Sequence, residues 1–346
     1  MSEHTTLASQ MRATVGSMVP VWFDEQISPD QILGFLRATL DGAELFVDPS
    51  RLVLVVDGCP HAEEPTHRAA TEFANRAGEA PQVIVKPENS GKGGAVCTGF
   101  ERLLEDDSVE VLSMRDADGD HDIWDLPQLF RQFQMVRESV GSDDVFVVGG
   151  RGTLARPMGF ARSELEHLLN RVTIDAVNAT LAGGGRCVDE RFAARYGRAP
   201  DFQSGYKLYS RTAGAAVIDA VSEAHAARPE LRVPWWGVEF VPTVELLLAG
   251  FTPAALHRLT YDGQPQTSFE GDDLAHAYSR QVSWLFERLG LPAQVAMPLL
   301  ENALTACEFI AAPNGPQVLD ELRRNVIERV YPQWSRDLPE RGSMFV

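Results

Sequence analysis

The first 150 residues alternate short apolar runs with amphipathic stretches, and this alternation constrains the fold more than any other feature. The apolar runs are rich in Val, Ile and Leu, which is typical of strands that are buried on both faces. Strands are predicted at 18–22, 51–56, 82–86, 109–114 and 145–148, and helices at 29–40, 64–77, 92–104 and 126–136. This order predicts an α/β fold in which helices flank a mostly parallel sheet.

The pattern changes after Gly149-Gly150-Arg151, where the strict alternation ends. Further helices are predicted at 163–181, 274–289, 298–310 and 316–330. We therefore expect a sheet domain over 1–265, with halves at about 18–150 and 151–265, and an α-helical C-terminal extension over 266–346. The extension is expected to pack on the sheet domain or to form a homodimer contact.

Composition disfavours several classes of protein. The chain has 346 residues, 44% of them hydrophobic, and a formal net charge of -18. This charge opposes binding to nucleic acid and to anionic membrane surfaces, since such binding depends on Lys and Arg. The longest apolar runs fall short of the roughly 18 to 20 residues of a membrane span, and the N-terminus lacks the apolar core of a signal peptide. With four widely spaced cysteines, these features favour a cytoplasmic protein with no integral membrane segment.

An acidic cluster directly follows the apolar run at 109–114. Residues two apart on a strand share a face, so Asp116 and Asp118 are expected to present oxygens to one cation, and Asp120 to curl back at Gly119. Hard oxygen ligands suit Mg2+ or Mn2+, which commonly keep open positions for substrate phosphates. The cluster therefore predicts a metal-bridged diphosphate.

Two common motifs do not fit the acidic and glycine-rich segments. Counted from Asp116, the Gly and Glu positions of an EF-hand loop hold His121 and Pro127. The glycine-rich turn Asn89-Ser90-Gly91-Lys92-Gly93-Gly94-Ala95 lacks the spacing of a Walker loop. Its glycines nevertheless allow close backbone approach, and the helix that follows offers its N-terminus to an anion.

Together these segments resemble the family 2 nucleotide-sugar glycosyltransferases of the GT-A (Rossmann-like) fold, and especially the dolichyl-phosphate mannose synthase branch. The glycine turn is close to the family's Asn-x-Gly-Lys-Gly-Gly-Ala, and the acidic cluster is similar to its Asp-Ala-Asp-Gly-Gln-His-Asp, with Asp120 in place of Gln. The other matching segments are Val19-Pro20-Val21-Trp22-Phe23-Asp24-Glu25, Val55-Val56-Asp57-Gly58-Cys59-Pro60, Gly149-Gly150-Arg151, Asp201-Phe202-Gln203-Ser204-Gly205-Tyr206-Lys207 and the Glu245 segment. The resemblance covers about 18–262.

The resemblance implies roles for individual residues. It implies a pocket for the donor nucleotide that is lined by Pro20, Asp24, Glu25, Asp57, Asn89, Gly91, Lys92, Asp116, Ala117 and Asp118. It implies Mg2+ or Mn2+ held by Asp116, Asp118 and Asp120, with His257 as a further ligand, as in the retaining glucosyl- and mannosyl-3-phosphoglycerate synthases. Arg151 and Lys207 would neutralise the diphosphate or an anionic acceptor.

The expected activity is transfer of a hexosyl group from a UDP- or GDP-sugar to a small soluble acceptor. A hydroxyl acceptor would need a general base, for which Asp201, Glu239 and Glu245 are candidates on spacing alone. The alternatives are a retaining glucosyl- or mannosyl-(phospho)glycerate synthase, a polyprenyl-phosphate glycosyltransferase, and a non-catalytic scaffold that binds sugar nucleotides. A sugar-1-phosphate nucleotidyltransferase is disfavoured, because Trp22-Phe23-Asp24-Glu25 stands where its Gly-x-Gly-x-Arg signature should be.

Overall fold

The computed structural model describes residues 3–152, 158–193, 199–259 and 274–335, with side chains from residue 7 onward. These residues form two compact units. The sheet unit comprises 3–152, 190–193 and 204–259, and the helical unit comprises 158–189, 199–203 and 274–335. Residues 158–189 and 199–203 thus group with the C-terminal helices, whereas the sequence pattern placed them with the sheet.

The sheet unit is built on seven strands in the order β3-β2-β1-β4-β6-β5-β7. The strands are β1 (Val15–Val21), β2 (Leu52–Asp57), β3 (Gln82–Lys86), β4 (Val111–Met114), β5 (Val145–Gly150), β6 (Lys207–Ser210) and β7 (Thr252–His257). All of them run parallel except β6, which is antiparallel to both β4 and β5. The predicted α/β class with a mostly parallel sheet is therefore confirmed, and β6 and β7 are strands that the sequence reasoning missed.

Helices cover the sheet and build the helical unit. In chain order the described helices are α1 (Glu3–Thr14), α2 (Pro29–Leu40), α3 (Pro60–Ala77), α4 (Gly91–Leu104), α5 (Leu126–Val140), α6 (Phe160–Ala182), α7 (Arg211–Ala227), α8 (Val241–Ala249), α9 (Leu274–Leu289), α10 (Ala293–Ala306), α11 (Gly315–Val330) and α12 (Pro332–Ser335). The start of α2 shows how sequence sets these bounds. Ser28 and Gln31 form a reciprocal capping box around Pro29, and Ile32, Leu33 and Leu36 then face the core.

The strand order creates a crevice at the carboxyl edge of the sheet. The chain passes from β1 to β2 on one side and later returns to β4 on the other side of β1, so the segments that follow β1 and β4 diverge. Open α/β sheets bind their ligands outside the carboxyl ends of the strands at such a switch point. Because β6 is antiparallel, its first residue, Lys207, lies at this same edge.

In the helical unit, α6 packs against α9 and α10, and α9 packs against α11. The apolar face of α6 is buried at Leu165, Leu169 and Val172. The carboxylate of Glu164 on α6 accepts a hydrogen bond from the backbone N–H of Glu308 at 2.9 Å. Across the ranges that the structure describes, no helix has the length and apolarity required to cross a bilayer.

Candidate functional site

The acidic loop after β4 is anchored from beneath by a buried arginine. Arg115 follows the strand directly, is fully buried, and donates from Nη1 to the carbonyl of His121 at 3.0 Å. Its Nη2 donates to the carbonyl of Thr39 in α2, also at 3.0 Å. The loop from Asp116 to His121 is therefore fixed to the body of the sheet unit at its far end.

The side chain of His121 is a neutral imidazole that holds the backbone of Asp116 in place. Its Nδ1 accepts the backbone N–H of Asp116 at 2.8 Å, so the ring proton is on Nε2. Nε2 lies 3.8 Å from Oδ2 of Asp116 and 3.6 Å from Oδ2 of Asp120. Burial, together with the charges of Arg258 and Lys92, lowers the pKa of His121 well below its usual value. His121 thus positions the acidic loop, and metal ligation through Nε2 would require it to give up this tautomer.

Lys92 joins the acidic loop to a distant acid. It lies in the first turn of α4, and its Nζ is 2.6 Å from Oδ1 of Asp116 and 2.6 Å from Oε1 of Glu239. Burial opposes the charged ammonium, but Asp116 and Glu239 outweigh that effect and raise the pKa of Lys92. Lys92 is therefore a permanent cation between two carboxylates.

Asp118 is the carboxylate of the loop that most needs a cation. Its Oδ1 accepts the backbone N–H of Asp120 at 3.1 Å, and it makes no ion pair among the residues described. Burial, followed by the negative charge of Asp116, raises the pKa of Asp118 to about 7. A divalent ion bound to this carboxylate would lower the pKa of Asp118 again and keep it ionised.

Asp120, by contrast, already has a cation. Arg258, one residue beyond β7 and 1% exposed, donates from Nη1 to the carbonyl of Asp120 at 2.8 Å and from Nη2 to its Oδ2 at 3.2 Å. The sequence reasoning missed Arg258 and named its neighbour His257. A signal was available, because residues alternate across a strand, and the exposed His257 leaves Arg258 to face inward.

The side chains present fit Mg2+ or Mn2+ bound to a diphosphate better than a metal cage made of protein alone. In the described ranges, no three His, Cys, Asp or Glu side chains come together as a group that could hold a metal ion, and ligation by His257 stays a prediction. Mg2+ in phosphate-binding sites is commonly held by one or two carboxylates, with substrate phosphates and water completing its shell. Asp116 and Asp118 supply such a pair of oxygen donors.

The glycine-rich turn is held by Asp57, which was expected to contact the nucleotide base. Asp57 is 2% exposed, and its carboxylate accepts the backbone N–H of Ser90 at 3.0 and 3.1 Å and the Ser90 hydroxyl at 2.7 Å. Lys86 also lies 3.3 Å from it, and Oδ1 of Asn89 accepts the backbone N–H of Gly91 at 2.7 Å. The geometry thus gives Asp57 a structural task, and its contact with a base stays a prediction.

Two glycines permit close packing around Lys92. Gly91 has a φ of +77°, and a Cβ at this position would lie 2.7 Å from the carbonyl oxygen of Pro234. A Cβ on Gly205 would lie 2.9 Å from Oδ2 of Asp116 and 3.1 Å from Nζ of Lys92. Both the turn at Pro234 and the segment that leads into β6 can therefore approach the site only through glycine.

Glu239 is fixed through its backbone. The buried Lys207 donates from Nζ to the carbonyl of Glu239 at 3.2 Å, and the hydroxyl of Thr243 donates to the same oxygen at 2.7 Å. The structure thus brings Lys207 beside Glu239, whereas the sequence reasoning placed it beside a phosphate. That phosphate role is a prediction that no contact in the structure tests.

The other predicted residues are more dispersed. Pro20 is buried in β1, and Ala117 is 6% exposed within the acidic loop. Asp24 and Glu25 are exposed after β1, and Glu245 is half-buried in α8. Arg151 follows β5, and its charge acts to lower the pKa of both His121 and Asp120. Asp201 belongs to the helical unit. Their predicted roles stay predictions.

Comparison with known proteins gives weak likenesses. No protein family model matches the chain, and no curated protein matches it. A solved structure described as a mycobacterial protein is 16% identical, with a TM-score of 0.43, and the match covers 84% of this chain and 80% of that one. Glucosyl-3-phosphoglycerate synthase of M. tuberculosis is also 16% identical, with a TM-score of 0.39 and coverage of 84% and 87%. Both likenesses are too weak to assign a family or a function to this chain.

Proposed function

We propose that this protein is a metal-dependent glycosyltransferase of the family 2, GT-A type that transfers a hexosyl group from a UDP- or GDP-sugar to a small soluble acceptor. The observation that carries the proposal is the carboxylate of Asp118, half-buried and without an ion pair among the described residues, beside the Lys92-paired Asp116. Both aspartates follow β4 at the switch point of the sheet, where ligands of α/β proteins bind. The order of sequence motifs along the chain supports the same function.

The aspartates and Lys92 would share the diphosphate of the donor. Asp116 and Asp118 would hold Mg2+ or Mn2+, which when bound neutralises the charge that develops on the departing nucleoside diphosphate. Lys92 is a fixed cation at the N-terminus of α4, where backbone N–H groups also favour an anion. The backbone N–H of Asp116 donates to Nδ1 of His121, and this bond holds Asp116 in place. The chain's own groups therefore bind and orient the donor before any chemistry.

Glu239 is our choice for the general base if the acceptor is a hydroxyl. Its carboxylate contacts Lys92, which also contacts Asp116, so it belongs to the same cluster as the proposed metal ligands. The same role for Glu245 in α8 and for Asp201 in the helical unit stays a prediction. Proton removal by a carboxylate that is held in place typically contributes a factor of about 100 to 10,000 to the rate.

Two observations bear on the finer expectations. The retaining alternative was linked to a histidine ligand, and His257 is exposed at the end of β7, so its ligation of the metal ion stays a prediction. The polyprenyl-phosphate alternative has no described membrane-spanning helix in its favour. A cytoplasmic location and a homodimer through the C-terminal region remain predictions.

Ligand-dependent stability tests the proposal. UDP and GDP, with Mn2+ or with EDTA, should be compared by thermal unfolding, because a ligand that binds only the folded state raises the melting temperature. We expect one of the two nucleotides to raise it in Mn2+ and to do so much less in EDTA. Asp118→Asn should lose the Mn2+-dependent part, whereas Asp107→Asn, at a fully exposed side chain, should keep it. A nucleotide response that is the same in Mn2+ and EDTA would refute the metal role.

A further inference from the structure

The end of β7 contacts the segment that follows the acidic pair at two points, Asp120 and Asp125. Arg258 makes the two bonds to Asp120 described above. The next residue, Leu259, donates its backbone N–H to Oδ1 of Asp125 at 2.7 Å. Arg258 itself is held in register, since its backbone N–H donates to the carbonyl of Gly150 at 2.8 Å. The end of β7 is therefore tied to the acidic loop at Asp120 and again at Asp125.

Because Arg258 is buried, its guanidinium depends on Asp120 for a compensating negative charge. The guanidinium of Arg258 is almost fully buried, and its Nε has no hydrogen-bond partner in the described structure. A buried cation needs a nearby carboxylate, and Asp120 is the acid that its Nη2 reaches. The carboxylate of Asp120 is thereby committed to a cation that the protein itself supplies.

Asp120 in turn holds Asp118. The backbone N–H of Asp120 donates to Oδ1 of Asp118 at 3.1 Å. Arg258 bonds the carbonyl as well as the carboxylate of Asp120, so it fixes the peptide geometry of the residue whose N–H reaches Asp118. The order of contacts is therefore Arg258 to Asp120 to Asp118.

We propose that Arg258 is a positioning residue that acts through Asp120 to orient Asp118 for the metal ion, and that Asp120 is not itself a metal ligand. This inference rests on the proposed function. In place of three aspartate ligands, it assigns two ligands, Asp116 and Asp118, and a clamp, which is the Arg258–Asp120 pair. It also accounts for Asp120 at a position where the resembled family has Gln, because a carboxylate pairs with a buried guanidinium and an amide does so less strongly.

Mn2+ binding to the full-length protein separates ligand from clamp. Free Mn2+ is measured by electron paramagnetic resonance in the presence of UDP and, separately, of GDP, for the wild type, Asp118→Asn, Asp120→Asn, Asp120→Ala and Arg258→Lys. We expect Asp118→Asn to weaken Mn2+ binding at least about thirtyfold, because a ligand is lost. Asp120→Asn keeps the main-chain bond to Nη1 and a neutral acceptor for Nη2 of Arg258, so the weaker pairing should cost less than about fivefold, well below the loss for Asp118→Asn. Asp120→Ala and Arg258→Lys remove the second bond of the clamp and should each cost about tenfold.

The outcomes distinguish the clamp from the metal site. If Asp120→Asn loses as much affinity as Asp118→Asn, Asp120 is a ligand and the clamp is refuted, while the proposed function stands. If the wild type binds no more Mn2+ than a protein-free control with nucleotide, or if Asp118→Asn binds Mn2+ as tightly as the wild type, the metal site of the proposed function itself fails. Circular dichroism of every variant verifies folding, and should Arg258→Lys not fold, the comparison of Asp120→Asn with Asp120→Ala and Asp118→Asn still decides.

Discussion

Gly205 offers the sharpest test of the packing at the site. Its missing Cβ leaves room for Asp116 at 2.9 Å, for Cε1 of His121 at 3.0 Å and for Lys92 at 3.1 Å. These distances are about 0.5 Å shorter than the roughly 3.5 Å at the lower end of the optimal separation of nonbonded atoms. Gly205→Ala would therefore push three side chains at once, and two of them belong to the proposed donor site.

The expected cost follows from how far those side chains can move. Overpacking a well-packed region costs about 1 to 3 kcal/mol. Asp116 and Lys92 meet the new methyl group with the tips of flexible side chains, so we expect the low end, about 1 kcal/mol of unfolding free energy. Lys92 can retreat only by loosening its 2.6 Å contacts to Asp116 and Glu239, so the affinity for nucleotide with Mn2+ should fall about tenfold, which is about 1.4 kcal/mol.

A glycine in the same unit serves as the matched control. Gly34 lies on the exposed side of α2, and a Cβ there would meet nothing within 4 Å. Gly34→Ala should therefore stabilise the protein by about 0.5 to 1 kcal/mol through helix propensity and leave nucleotide binding unchanged. Urea midpoints and titration calorimetry with UDP or GDP measure both quantities. If Gly205→Ala is as stable as Gly34→Ala and binds nucleotide like the wild type, the close approach of the β6 entry to Asp116 is wrong.

Two further substitutions test the charges of the site. Asp118→Asn should stabilise the metal-free protein at pH 8 by about 1 to 2 kcal/mol. The pKa shift of Asp118 sets an upper limit of about 4 kcal/mol, and the partial exposure of the side chain reduces it. Burial and Asp116 raise the pKa of Asp118 to about 7, so folding favours its protonated form, and stability from this group falls as the pH rises from about 4 to about 7. Urea midpoints in EDTA should accordingly show the gain at pH 8 and none at pH 4, and an equal gain at both would contradict this reasoning. Lys92→Met leaves Asp116 and Glu239 without their shared cation and should lower the unfolding free energy by about 2 kcal/mol, less than for a fully buried pair because the Lys92 side chain is 30% exposed. Arg171→Met, which breaks an exposed ion pair with Asp175, should change it by less than about 0.5 kcal/mol, and equal effects of the two would show that Lys92 is an ordinary surface residue.

Sequence reasoning located the parallel half of the sheet because its strands are continuous apolar runs. It failed at β6 and β7 for identifiable reasons. The β6 strand has four residues and begins with Lys207, whose burial is compensated by the carbonyl of Glu239, a contact that no local pattern reveals. The β7 strand contains Pro253 and two alanines, residues that are uncommon in strands, and it forms by pairing with β5.

The site shows the same division between local and distant information. Asp116, Asp118 and Lys92 could be predicted, because each belongs to a compact motif next to a strand or helix end. Strand alternation indicates only that Arg258 faces inward. Its contact with Asp120 could not be predicted, because that contact depends on the register of β7 against β5, which brings residue 258 to the acidic loop 138 residues earlier in the chain. For Glu239, spacing gave one of three candidates, and the contact with Lys92 distinguishes it from the others.

The reversed direction of β6 has a consequence for how this protein could be modified. The chain departs from the sheet at the end of β5 and rejoins it at the start of β6, and since these two strands are antiparallel neighbours, both points lie at one edge. Closing a longer or shorter excursion between two nearby anchor points changes the free energy only slowly with its length. A segment inserted between Gly150 and Lys207 would thus leave every strand pairing of the sheet in register, provided that it spares the buried helix α6 and the close approach at Gly205.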